Sequence, residues 1–182
     1  MCQLTPQQSA VYITSYLQAV HMLSTFFNSC LYVQLSPDRL IVRDPSTAAQ
    51  FSEIPEVGIA HDPKTRIVGV GVAARSAVAG LNGEVVNPFG HPRCLVSDYI
   101  VAEQLLKTVV RQVLGGALFR IAPRIVIHPL GDPAGGFTQI ERRAMREMAL
   151  GAGASKVIVW VGRNLSDQEL LDETYPPEGE AE

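Results

Sequence analysis

The first 37 residues of this 182-residue chain contain no Lys, Arg, Asp or Glu; Asp38 is the first charged side chain. A secretory leader needs a basic segment ahead of its apolar run, so the pattern argues against one and predicts a cytoplasmic protein. Runs of 18 or more apolar residues are also missing, which argues against a membrane-spanning helix. Cysteine is sparse: Cys2, Cys30 and Cys94 lie far apart, with no CxxC pair. That excludes a disulfide framework and a zinc site, and fits reduced thiols. The four histidines, His21, His61, His91 and His128, show no HExxH or paired spacing, so no metal is expected. The glycine pairs at 115–116 and 135–136 stand alone, without a GxGxxG or GKS loop around them, and read as turns.

What charge there is divides unevenly. Residues 38–163 carry 15 basic against 11 acidic groups, while residues 164–182 carry seven acidic groups and no basic one. A net of +4 over the middle is too mild for a nucleic-acid-binding surface, so no nucleic acid is expected as partner. The acidic end, closing on Pro-Pro-Glu-Gly-Glu-Ala-Glu, reads as a solvated, disordered tail. At this length one domain is expected, able to bury roughly 70% of its unfolded surface without staples.

Periodicity then places the elements. Residues 6–28 form an apolar or amphipathic helix, with Ile13, Leu17, Val20 and Phe27 on one stripe. Strands follow at Leu31–Leu35 and up to Val42 about a Ser-Pro-Asp-Arg turn, with a loop or weak edge over 44–55. A second hairpin joins Val57–Ala60 to Arg66–Val72, and a short helix covers Ala73–Ala79. Residues 99–114 make the clearest helix, capped by Asp98 and stopped by the glycines at 115 and 116. Arg124–His128 and Val157–Val161 are short, nearly all-apolar strands of the kind covered on both faces. Between them, Thr138-Gln-Ile-Glu141 is a capping box that opens a helix ending at Gly151. Strand, helix, strand in that order implies a right-handed parallel crossover.

The segment 138–157, Thr-Gln-Ile-Glu-Arg-Arg-Ala-Met-Arg-Glu-Met-Ala-Leu-Gly-Ala-Gly-Ala-Ser-Lys-Val, resembles the T-x-V-E-R-R-A-x-R-E-x-A-x-x-A-G-A motif of the MreB family of bacterial actin homologues. The resemblance runs back in register through Pro123-Arg-Ile-Val126, the helix from Ser97-Asp-Tyr99 to Val113, and the first strand at Phe27–Leu35, covering about 27–163. It implies a mixed sheet with flanking helices, the ribonuclease H-like α/β fold of actin-like ATPases. Three regions are expected: the helix 1–28, a subdomain 29–163 and the acidic tail 164–182.

The sequence departs from the family where nucleotide chemistry would sit. The family's Asp-x-Gly-Thr phosphate turn is here Gln34-Leu35-Ser36-Pro37, which loses the metal-linked carboxylate and the glycine and sets a proline with no N–H in the cradle. The family's Glu-Glu pair after the later strand is replaced at Val161 and Gly162. The second phosphate loop and adenosine pocket of an actin-like molecule have no counterpart in these residues. No catalytic residue, cofactor or metal is therefore expected, and the chain reads as a pseudo-enzyme.

Protein binding is the remaining role. The family's lateral-pairing helix corresponds to 99–114, so Leu106, Val109, Val110 and Val113 are the expected contact residues, with MreB or a second copy as partner. Leu23, Phe26 and Phe27 stand where many MreB proteins attach peripherally to the inner membrane. Without Lys or Arg they would rely on apolar burial alone, and packing against the sheet is the open alternative. Two other functions stay in view: a homodimeric scaffold unrelated to shape, and a metal-dependent enzyme such as a nuclease, which needs clustered carboxylates at strand ends.

Overall fold

The computed structural model describes residues 29–115, 121–131, 133 and 135–182. The expected N-terminal helix, with Leu23, Phe26 and Phe27, lies outside the described residues.

Among the described residues, nine strands and four helices follow in chain order: β1 (Cys30–Leu35), β2 (Leu40–Arg43), β3 (Gln50–Glu53), β4 (Val57–Ala60), β5 (Arg66–Val70), α1 (Ala73–Val78), β6 (Gly83–Val86), α2 (Tyr99–Val113), β7 (Arg124–Pro129), α3 (Gln139–Gly151), β8 (Lys156–Val161), α4 (Asp167–Leu171) and β9 (Glu180–Ala181). Six of the strands make one mixed sheet in the order β3-β2-β1-β7-β8-β9. Its centre is parallel: β1 pairs β7, which pairs β8. Antiparallel strands finish both sides, β2 and β3 on one and β9 on the other. A smaller antiparallel sheet, β5-β4-β6, carries α1. Gly58 and Gly69 allow that helix to sit close, since a Cβ on either would fall within 3 Å of α1 atoms.

The period of two along β1 sorts its side chains between two cores. Leu31, Val33 and Leu35 face the larger one, which they share with Ile125, Ile127, Val159 and the inner sides of α2 and α3. Cys30 and Tyr32 face the other way and join Val126, Ile158 and Trp160. Both central helices begin as their sequences predict. Asp98 Oδ1 accepts from the Val101 amide at 3.0 Å, and Thr138 and Glu141 form a reciprocal capping box at 3.2 and 2.9 Å.

The tail departs from expectation. Residues 164–182 are structured: a second capping box, Ser166 with Glu169, starts α4, and β9 adds to the edge of β8. Leu165 and Leu170 are buried in the Cys30–Trp160 core, and Tyr175 packs against it. The composition rule for disorder fails because Leu165, Leu170 and Tyr175 are enough to anchor the segment, while its carboxylates meet arginines of the body: Arg43 with Asp167, Arg124 with Glu173, Arg142 with Glu180.

Candidate functional site at the carboxyl ends of the parallel strands

In open α/β sheets ligands bind beyond the carboxyl ends of the parallel strands, and the expected phosphate turn lies there. Leu35 ends β1 opposite Pro129 of β7, and Gln34, the residue before it, stands opposite His128. Val161 ends β8, with Gly162 just beyond. The structure thus brings Gln34, Ser36, Pro37, Val161 and Gly162 to one end of one sheet.

That end is filled by the chain itself. The Gln34 side-chain amide donates to Asn164 Oδ1 at 2.8 Å, tying β1 to the segment after β8. Ser36 closes its own turn: its amide donates to the Arg39 carbonyl at 3.0 Å, and its hydroxyl accepts from the Arg39 amide at 3.0 Å. Pro37 has no N–H to offer, and its carbonyl accepts from the Asn87 side chain at 2.8 Å. Two donors that a phosphate cradle would aim outward are thus used within the turn or lacking.

Below this lies a buried polar chain. A carbonyl only accepts, so the 3.0 Å contact from His128 Nε2 to the Gly162 oxygen puts the proton on Nε2. The bare Nδ1 then accepts from the Tyr32 hydroxyl at 2.5 Å, and that hydroxyl accepts from the Leu165 amide at 3.2 Å. Burial holds the His128 pKa below the usual histidine value, partly opposed by the bond to Gly162, and lifts that of Tyr32. Both groups stay neutral at physiological pH. Arg43 lies over the Tyr32 ring, 5.0 Å from its centroid, donates to the Leu165 carbonyl at 3.0 Å and pairs with Asp167.

The ends of the three parallel strands carry Gln34, Leu35, His128, Pro129, Val161 and Gly162, with no carboxylate among them. Asp167, brought close by Arg43, is held in an ion pair. Among the described residues, no cluster of three or more His, Cys, Asp or Glu is placed to hold a metal ion. The arrangement can lock the strand ends together, and its groups are consumed in doing so. Sequence reasoning missed Tyr32, Asn164 and Leu165. The signals were a Tyr in an otherwise aliphatic strand and the Ser166-x-x-Glu169 capping box, which marks an ordered segment after β8.

The expected partner-contact residues are corrected. Leu106, Val109, Val110 and Val113 are all buried in the larger core; Val110 is 2% exposed. Helix α2 is packed by the β2–β3 side of the sheet and by α3 at once, so its wide apolar set is consumed inside the fold. What α2 and α3 present outward is Ile100, 74% exposed, with Tyr99, Ile140 and Leu150. No described helix is long and apolar enough to cross a membrane.

Comparison with known proteins matches this framework. The profile of the MreB/Mbl protein family fits residues 19–163. The chain belongs to the MreB/Mbl family. It is 29% identical over 133 residues to the cell shape-determining protein MreB of Escherichia coli K12, covering 72% of this chain and 35% of that protein. To the MreB of Haemophilus influenzae it is 41% identical over 63 residues, 35% of this chain and 17% of the relative. The chain thus spans about a third or less of the length of these MreB relatives. Among solved structures, ADP-bound MreB5 of Spiroplasma citri superposes with a TM-score of 0.56 at 17% identity, over 72% of this chain and 37% of that one. A non-polymerising MamK variant bound to AMPPNP gives 0.58 at 19% identity, over 74% and 40%. The fold is therefore the actin-like, ribonuclease H-like fold that the sequence implies.

Proposed function

We propose that this MreB/Mbl family chain serves the bacterial cell-shape cytoskeleton as a non-catalytic protein that binds an MreB filament or a second copy of itself. The cell-shape role rests on the family. Self-association is supported by a structural neighbour, the MamK double helical filament, which matches with a TM-score of 0.51 at 17% identity.

The single observation that carries the non-catalytic reading is the closed strand end. Gln34 is bonded to Asn164, Ser36 to Arg39, and Pro37 supplies no donor, while Tyr32, His128 and Gly162 fill the space behind them. A metal-bound triphosphate would need a carboxylate and free amides at this place. Binding then falls to the surface, and the outward side of α2 and α3 around Ile100 is its seat. Co-sedimentation with polymerised MreB tests this. The chain is expected in the pellet with the filaments, and Ile100→Glu is expected to reduce that share without moving the unfolding midpoint. Equal pelleting of the two proteins would move the contact elsewhere, and a chain that self-associates but ignores MreB would be the unrelated scaffold.

Peripheral membrane contact through Leu23, Phe26 and Phe27 belongs to the same proposal. Flotation with liposomes should be lost when residues 1–28 are deleted; equal flotation removes the membrane role.

A further inference from the structure

Residues 164–182 lie beyond the family match, which ends at 163, yet they pack over one face of the parallel strands. Beneath them are Cys30, Tyr32, Val126, Ile158 and Trp160, and the backbone of β8 pairs with β9 at its edge. We propose that this segment is a strap that opens separately from the rest of the fold, and that ionic strength sets how often it lifts.

Three observations carry the inference. The first is how the strap is held. Its carboxylates pair with cations from four different elements of the body: Asp167 with Arg43 of β2, Glu173 with Arg124 of β7 and Lys156 of β8, and Glu180 and Glu182 with Arg142 of α3. Glu169 and Glu178 pair with Arg163 at the strap's own base. Arg43, Arg124 and Arg142 are largely buried in the body, but the carboxylates that reach them from the strap are all exposed to solvent, so the attraction acts across a wetted boundary and weakens as the Debye length falls from about 10 Å at 0.1 M salt to about 3 Å at 1 M.

The second is the seat. The strap contributes Leu165, Leu170 and Tyr175 to its core, whereas the opposite face of the sheet is sealed by two full helices. Strand β9 is two residues long and exposed at both.

The third is incomplete pairing under the strap. Arg124 is only 6% exposed; its Nη2 donates to the Leu170 carbonyl and its Nη1 faces Glu173, both of the strap, but its Nε has no hydrogen-bond partner, and neither does the buried hydroxyl of Tyr175. Every unpartnered buried side-chain atom found among the described residues belongs to one of these two side chains. Lifting the strap returns them to water and removes that penalty, which makes local opening cheaper than unfolding. The open form bares the Cys30–Trp160 face and the hydrogen-bonding edge of β8, so the strap governs access to both.

Two reporters sit beneath it. Cys30 is 1% exposed, and Trp160 is the chain's single tryptophan, its indole N–H donating to the Arg163 carbonyl at 2.8 Å. In full-length protein carrying Cys2→Ser and Cys94→Ser, the reaction of Cys30 with a thiol reagent is timed under native conditions. It is compared with the same chain carrying Cys30→Ser and Val33→Cys, a position on the opposite face of the same strand. Cys30 is expected to react at least about tenfold faster than the thiol at position 33, as local opening requires. Its rate should rise further in about 0.5 M NaCl and in Glu173→Gln, with a red shift of Trp160 emission in the unaltered protein at high salt. Equal rates at the two positions would mean that the strap opens only with the whole fold. A Cys30 rate and Trp160 emission both indifferent to salt would overturn the proposal even if the Val33→Cys chain failed to fold.

Discussion

Replacing Val110 with glutamate tests how α2 is packed. From sequence alone Val110 is expected on an outward, partner-binding face, where a charge would cost the fold almost nothing. In the structure its side chain is 2% exposed inside the larger core. Losing the burial of a valine forfeits about 1.5–3 kcal/mol. The glutamate must also stay neutral in that core at pH 7. Raising its pKa from about 4.3 to at least about 7 adds roughly 3–4 kcal/mol. The sum, about 4.5–7 kcal/mol, is comparable to the whole stability of a typical domain, about 5–15 kcal/mol. Urea unfolding followed by circular dichroism should therefore find the variant unfolded or nearly so without denaturant. Ile100→Glu, on the same helix but on its exposed side, should stay within about 0.5 kcal/mol of the parent in the same assay. A Val110→Glu protein with the parent's urea midpoint would refute the inward placement of this face.

Other outcomes follow from the same geometry. Tyr32→Phe strips the hydroxyl that joins His128 Nδ1 to the Leu165 amide and should cost about 1–3 kcal/mol, read as a fall in urea midpoint. Because burial depresses the His128 pKa, the unfolded chain takes up a proton first as pH falls below about 6.5, so stability should decline with pH from there until the folded-state pKa is reached. That decline, measured as Tm against pH, should shrink in His128→Phe. Gly83→Ala would set a Cβ 2.2 Å from the Ile59 carbonyl oxygen and should loosen the β4–β6 pairing at a cost of about 1–3 kcal/mol, again by urea midpoint.

The parts of the fold written in local sequence were legible. Asp98 and the Thr138–Glu141 box announce α2 and α3, and the apolar runs at 31–35, 124–128 and 157–161 announce the three parallel strands to within a residue at one end of each. Sidedness was harder. The set Ile100, Leu105, Leu106, Val109, Val110 and Val113 is wider than one packing face needs, which invites an outward assignment for part of it. Only contacts from β2, β3 and α3 together reveal that all but Ile100 are used inside. Strands β6 and β9 are four and two residues long, too short for a period to declare itself.

The candidate site divides the same way. The loss of a phosphate turn at Gln34, Ser36 and Pro37 is local and readable, but the groups that fill the space are not. Tyr32 meets His128 across 96 positions and Leu165 across 133, distances over which no pattern in one sequence speaks. The tail misled for a related reason. Its seven acidic groups read as solvated because the arginines that receive them lie scattered along the chain and gather only when it folds.

Isothermal titration of the full-length protein with ATP and magnesium measures the central claim directly. With Gln34 held by Asn164 and no carboxylate at the strand ends, no saturable heat is expected at micromolar to millimolar nucleotide. A saturable, magnesium-dependent isotherm that disappears in Ser36→Pro would place a working phosphate cradle where the chain's own side chains are now seen to sit.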